Sequence, residues 1–340
     1  MARPTGVSVW FSSARAVDVR PESVAEVGPH EVRVEATASA ISHGTEMLVF
    51  RGQVPEGLEL DLPTLRGSFD FPIKYGYASA GRVVETGADV RCLRPGDPVF
   101  VHHPHQSTYV VPAEMPVRLP DALAADPTLG VFLANIETAA NIVIDAAPRL
   151  GERVAVFGQG VIGLLITQLL RRTGVSQIVV VEPVARRREL ARQVGADVAL
   201  DAKEDVVRAM RELTDGAGVD LAIEASGSAG VLDVALEALA FGGTCVVCSW
   251  YGTKPVQLRL GGAFHRRRLR IVSSQVSTID AALQPRWTHQ RRLSLARNLL
   301  PELELGSLIS HRIPVEQAAE AYALVDQHAD QTVQVILTYT

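Results

Sequence analysis

Over roughly the first 136 residues, apolar positions recur at short spacing. The runs VSVWF, HEVRVEATAS, SAGRVVETG, DPVFVHH and STYVVP are rich in valine, threonine and aromatic residues and are punctuated by glycine and proline, which predicts β-strands. In RCLRPGDPVF, Pro95-Gly96-Asp97 supplies a turn that leads into a strand. Near residue 131 the period changes. VFLANIETAANIVIDAA has helical spacing, and RVAVFGQG, VIGLLITQLLRRTG and QIVVVEP then read as strand, glycine turn, helix and strand. RRRELARQVGA, VALD, EDVVRAMRELTDG, VDLAIEASG, AGVLDVALEALAFGG and TCVVCSWYG continue the alternation of helix and strand. Strands separated by helices predict a parallel, doubly wound sheet. From about residue 280, THQRRLSLARNLL and VEQAAEAYALVDQH predict helices and QTVQVILTYT a last strand. The expected fold is α/β, with a β-rich domain from 1–136 and 280–340, an α/β domain over 137–279, and a cleft between them.

Composition narrows the function classes. Hydrophobic residues are 47%, charged residues 21% and the net charge is -5, as in an ordinary globular protein. No basic excess points to nucleic acid or to an anionic membrane as a partner. The apolar stretch in MARPTGVSVWFSSARAVDVR is only about five residues, short for a signal peptide, and no run approaches the ~18 apolar residues of a membrane helix. The expected location is cytoplasmic. Cys245 and Cys248 look like a CxxC pair, but GGTCVVCSW reads as a strand after a glycine turn, where positions three apart face opposite sides. Neither a metal nor a redox pair is expected there, and only 3 cysteines in the chain suit a reducing compartment.

The strongest motif is Gly158-Gln159-Gly160-Val161-Ile162-Gly163, which follows RVAVF and opens VIGLLITQLL. Gly158 permits a tight turn, Gly160 lets the backbone approach a pyrophosphate, and Gly163 lets helix and strand pack closely. The helix N-terminus then offers free N–H groups and a positive dipole end to phosphates. Glu182 ends the second strand, 19 residues after Gly163, where a carboxylate would bond the adenosine ribose hydroxyls and repel a 2′-phosphate. That favours NAD as cofactor. Arg186, Arg187 and Arg188 follow, either as a solvated helix face or as partners of a 2′-phosphate, with Arg187 the candidate cofactor contact. Thr138, Ser226, Ser249 and Ser274 are the further candidate cofactor contacts.

The whole chain resembles the medium-chain dehydrogenase/reductase family, the superfamily of zinc alcohol dehydrogenases. AISHGTE resembles the family's GxCGTD segment, PIKYGYASAGRVVETGADV its GHE-containing segment, RPGDPVF its GDRV turn, and ISHRIPVEQAAEAYALVD its closing strand and helix. The resemblance implies a GroES-like catalytic domain and a Rossmann domain with the active site in the cleft, and a homodimer paired through the edge strand of the nucleotide domain. The zinc ligands depart from the pattern. Where the family has cysteine, histidine, and cysteine or glutamate, this chain has Ser42-His43-Gly44, Gly76-Tyr77-Ala78 and the neighbourhood of Ala134. The lobe that carries structural zinc is replaced by VFVHHPHQSTYVV. No zinc is expected, because zinc needs three protein ligands and neither tyrosine nor alanine is an ordinary one. His102, His103 and His105 read as a polar loop, or else as partners of His43 or Glu46 in an unconventional metal site. IS-x-GTE at residues 41–46, with Gly52 beyond it, resembles the bacteriochlorophyllide dehydrogenase-like branch of bacterial biosynthetic enzymes.

Taking hydride from an alcohol needs a base for the hydroxyl proton and a stabiliser of developing oxyanion charge. By the resemblance, Thr45 holds the family's proton-relaying hydroxyl, and Thr138 of Glu137-Thr138 a hydroxyl near nicotinamide. His43 is a candidate base or a packed residue, and Tyr77 a candidate hydrogen-bond donor or a filler of the vacated zinc volume. Arg266, Arg267, Arg268 and Arg270 read as a solvated basic edge or as an anion contact. The expected function is NAD-linked interconversion of a secondary alcohol and a ketone. NADPH-dependent reduction of activated C=C bonds and non-catalytic nucleotide sensing are the alternatives.

Overall fold

The structure, a computed structural model, describes residues 5–62 and 64–339. The chain divides into two compact units, Met1–Ala134 with Arg297–Thr340, and Asn135–Ala296.

In the first unit, Glu31–Ala40 is the organising strand. It pairs antiparallel with Ser79–Thr86, with Thr108–Pro112 and with the C-terminal strand Gln334–Thr338. Its alternating valines and alanines bury one face, so that Val32 and Val34 are fully covered. Ser79–Thr86 pairs in turn with Pro98–Val101. A smaller sheet joins Thr5–Ser13 to Ala16–Ser23 and Ile73–Lys74. Two helices, Thr45–Phe50 and Ala318–Gln327, supply Phe50 and Tyr322, whose rings pack with Phe11.

Six parallel strands form the sheet of the second unit, in the order Val198–Leu200, Gln177–Val181, Arg153–Phe157, Val219–Glu224, Leu239–Val247 and Arg270–Ser273. Helices Val161–Leu170, Ala185–Gln193, Val206–Leu213 and Val231–Ala238 make the crossovers. Strand order reverses beside Arg153–Phe157, the switch point at which doubly wound sheets bind ligands. The predicted helix AGVLDVALEALAFGG ends earlier than expected. Leu239 already pairs with Val219, and Gly242 has φ +75°, which no helix continues. The stretch Pro127–Ala146 corrects the expectation about apolar runs. It is 20 residues of helix, apolar enough by length and composition to cross a membrane, yet most of it is buried inside the protein.

Residues 102–106 are not the expected polar loop. They run through the interior of the first unit, where His103 and His105 are buried. His102 Nδ1 lies 3.1 Å from Tyr77 O, because the pairing of Ser79 with Val101 carries the next residues of each strand past one another. His103 stacks on Tyr109, with ring centroids 3.7 Å apart and planes 8° from parallel. Burial lowers its pKa from 6.5 to about 3, against a hydrogen bond to the Pro104 carbonyl that favours the charged form. The folded chain therefore keeps His103 neutral while the unfolded chain protonates it below its ordinary value. The unfolded state binds the extra proton, so this contribution to stability is complete above pH 6.5 and falls toward pH 3, by up to about 1.4 kcal/mol per pH unit. His103→Phe retains the ring stack and removes the titrating group. Urea unfolding at pH 6.5 and at pH 4.5 should show a smaller loss of stability for the variant than for the wild type; equal losses would place the acid sensitivity elsewhere.

Candidate active site and nucleotide site

Strand register builds the site of the first unit. Ser39 pairs with Ser79, and Ala40 N–H donates to Ala78 O at 2.9 Å, which sets Tyr77 opposite the residues that follow Ala40. Those residues turn at Ser42–Gly44 into the helix Thr45–Phe50. The turn is closed by Glu46, whose carboxylate Oε2 accepts the Ser42 N–H at 2.9 Å. Ser42, His43, Thr45 and Tyr77 are all partly exposed. Tyr77 and Thr45 come together: the hydroxyls of Ser42 and Thr45 lie close enough to the Tyr77 phenol to lower its pKa against the effect of burial. Burial, aided by the Glu46 charge and opposed by those two hydroxyls, pushes its pKa up to about 12. The phenol is a donor at neutral pH and no base. His43 shares the same turn.

Behind this turn lies a polar chain that the sequence reading did not assemble. His105 Nε2 is 2.8 Å from Glu46 Oε1, the Tyr322 hydroxyl donates to the same oxygen, and both Glu46 and His105 are fully buried. His105 Nδ1 meets Ser39 Oγ at 2.5 Å, and Ser39 Oγ meets the Tyr339 hydroxyl at 2.7 Å. Gly76 makes room for this: it has φ +118°, and a Cβ there would lie 2.6 Å from His105 Cδ2. Among the described residues no group of three or more His, Cys, Asp or Glu side chains converges as for a metal ion. With His103 stacked, His105 on Glu46, and tyrosine and alanine at matched ligand positions, the residues present do not fit the family's catalytic zinc.

The nucleotide unit fits a dinucleotide. Gly158 has φ +92°, and a Cβ would lie 2.7 Å from Ser226 Cα. A Cβ on Gly163 would meet Gly158 O at 2.0 Å, so helix and strand need that glycine. Above Gly160 nothing lies within 4 Å of the Cβ position, and the helix it caps, starting at Val161 and Ile162, has no side-chain cap on its N–H groups. Gln159 turns inward, donating to Gly158 O at 3.0 Å and accepting from Thr167 at 3.1 Å. Glu182 is 2% exposed; it accepts the Gln159 N–H at 2.7 Å and the Val184 N–H at 3.0 Å, with Arg187 Nη1 3.8 Å away. The carboxylate thus organises the glycine turn while its remaining lone pairs can accept from a ribose.

A second carboxylate went unread in the sequence, although it too ends an apolar strand. Buried Glu224 accepts the Ser226 N–H at 2.7 Å, the Ser226 hydroxyl at 2.6 Å and the Tyr251 hydroxyl at 2.8 Å, and Gly227 N–H donates to Ser249 Oγ at 2.9 Å. Ser226 and Ser249 therefore belong to one loop cluster beside Gly158. Ser274 faces elsewhere, donating to Asp145 at 2.6 Å in a network that continues through Asn141 to Arg292 and Glu137, next to the partly exposed Thr138. Burial pushes the Cys245 thiol up to about 12 and the Cys248 thiol well above its usual range, so both stay protonated and inert.

The family described as zinc-binding dehydrogenase matches residues 161–288. The D-guloside 3-dehydrogenase of Escherichia coli K12 is 30% identical over 336 residues, covering 91% of this chain and 93% of that protein. The 2-desacetyl-2-hydroxyethyl bacteriochlorophyllide A dehydrogenase of Cereibacter sphaeroides is 31% identical over 336 residues, covering 93% of each. Among solved structures, a zinc-binding dehydrogenase from Sinorhizobium meliloti bound to NADP superposes with a TM-score of 0.80 at 24% identity, covering 99% of this chain and 100% of that one. An Escherichia coli short chain alcohol dehydrogenase complexed with NADH superposes at 0.79 with 19% identity, covering 98% and 99%. These last two show the shared GroES-like plus Rossmann fold. Likeness to two dehydrogenases along nine-tenths of their length, joined to a glycine turn and strand-end carboxylates that fit a nicotinamide dinucleotide, places this chain in the medium-chain dehydrogenase/reductase superfamily, as an oxidoreductase of the alcohol dehydrogenase type in the branch that includes bacteriochlorophyllide dehydrogenase.

Proposed function

We propose that this enzyme interconverts a secondary alcohol and a ketone with NAD(H), and without catalytic zinc. The observation that carries the reading is Tyr77, at the family's histidine position and set by strand register opposite the turn that bears Ser42 and Thr45. A phenol held neutral is a hydrogen-bond donor suited to an oxygen on which negative charge develops. Thr45, whose hydroxyl both donates and accepts, passes the alcohol proton on, and His43 in the same turn receives it. The Gly158–Gly163 turn and Glu182 hold the nicotinamide dinucleotide, which supplies the hydride acceptor. The names of the relatives, which act on a guloside and on a hydroxyethyl group, support a secondary hydroxyl as the reacting group.

Selectivity for NAD rests on Glu182, and Arg187 beside it is the feature that would favour NADP. Catalytic efficiency with each cofactor, measured for wild type and Glu182→Ala, should show an NAD preference that narrows roughly tenfold, about 1.4 kcal/mol, on losing the carboxylate. A wild-type preference for NADP refutes this and turns attention to C=C reduction. Methyl glycosides and 2,3-butanediol, assayed with NAD, form the first substrate panel. Thr45→Val should lower turnover by roughly a hundredfold and Tyr77→Phe by less, with NADH affinity nearly unchanged. Near wild-type turnover in both variants would move the chemistry to other side chains. Elemental analysis of untagged protein should find well below one zinc per chain; stoichiometric zinc whose chelation abolishes activity would defeat the zinc-free reading.

A further inference from the structure

The hydroxyls around Tyr77 stand on a turn whose shape is set by a residue outside the chemistry just proposed. Glu46 Oε2 accepts the Ser42 N–H at 2.9 Å, across the turn that carries His43 and Thr45. Its Oε1 accepts from His105 Nε2 at 2.8 Å and from the Tyr322 hydroxyl. All three side chains are fully buried. Their holders are themselves fixed. Ser39 meets the far nitrogen of His105 at 2.5 Å, and the His105 carbonyl accepts the Val9 N–H at 3.0 Å. Tyr322 packs edge-on to Phe11 and stacked on Phe50. A carboxylate is acceptor-only and can take three converging donors, whereas an amide must present N–H groups to one side of the same ring of donors.

We propose that Glu46 is the positioning residue of this site: its carboxylate, held by His105 and Tyr322, fixes the Ser42–Thr45 turn that the strand register sets opposite Tyr77. The proposal builds on the role given above to Thr45 and Tyr77. Glu46 touches no substrate; it acts through Ser42.

The test is a double-mutant cycle in the NAD-linked alcohol assay. Glu46→Gln should lower kcat about tenfold or more and leave the NADH Kd, from fluorescence titration, within about twofold. In a Tyr77→Phe background the same change should cost less than about threefold, because two residues acting through one group are not additive. Tyr322→Phe removes one donor and no charge. It should lose about threefold in kcat and shows the same non-additivity with Tyr77→Phe, which covers a Glu46→Gln that does not fold. Equal losses with and without Tyr77 overturn the proposal. A crystal structure of either variant needs no substrate: a phenol turned away from Ser42 and Thr45 supports the proposal, and the wild-type arrangement overturns it. If Tyr77→Phe keeps full activity while the variant structures lose the arrangement, the functional reading fails and the positioning stands.

Discussion

The interaction on which the first unit most depends is the buried charge of Glu46. A carboxylate taken fully out of water is tolerated only when donors replace its hydration. Here the donors come from a backbone N–H at residue 42, an imidazole at 105 and a phenol at 322, so one side chain ties together three distant parts of the chain. Removing one of these donors leaves a buried oxygen short of a partner, at a cost of about 1–3 kcal/mol. The same arrangement explains the inward course of residues 102–106 and the need for Gly76, since His105 must reach Glu46 past a backbone with no Cβ.

The nucleotide unit follows a parallel logic with different parts. Glu182 and Glu224 each end a buried parallel strand, and each satisfies its oxygens with the N–H groups of the turns around it. Strand-end carboxylates of this kind shape loops before any ligand arrives, and a preformed loop loses less entropy on binding. The glycine turn, the Ser226–Gly227 loop and Ser249 consequently form one closely packed, hydrogen-bonded rim at the switch point of the sheet.

In the zinc-free function proposed above, oxygen donors take the place of the family's metal. Zinc would both acidify an alcohol and stabilise its oxygen. On that proposal Tyr77 would offer the second service through a neutral phenol, and the first would pass to hydroxyl and imidazole groups on the adjoining turn. The three histidines that invite a metal reading are engaged separately, on the Tyr77 carbonyl, on the Tyr109 ring and on Glu46.

The sequence by itself determined whatever depends on neighbours within a few residues. The strand–glycine–helix turn at 153–163, the alternation of strands and helices to residue 247, and the carboxylate at 182 are written in local periodicity and turn chemistry, and the structure repeats them. Only the tertiary structure decided what depends on register between remote strands. Ser39 opposite Ser79 brings Tyr77 to the 42–45 turn, and Ser79 opposite Val101 sends the histidines inward. Glu46 meets His105 across 59 residues and Tyr322 across 276, separations at which no hydrophobic period carries information. The end of the Val231–Ala238 helix shows the same division on a small scale: local propensity extends it into LAFGG, and pairing of Leu239 with Val219 makes that segment strand.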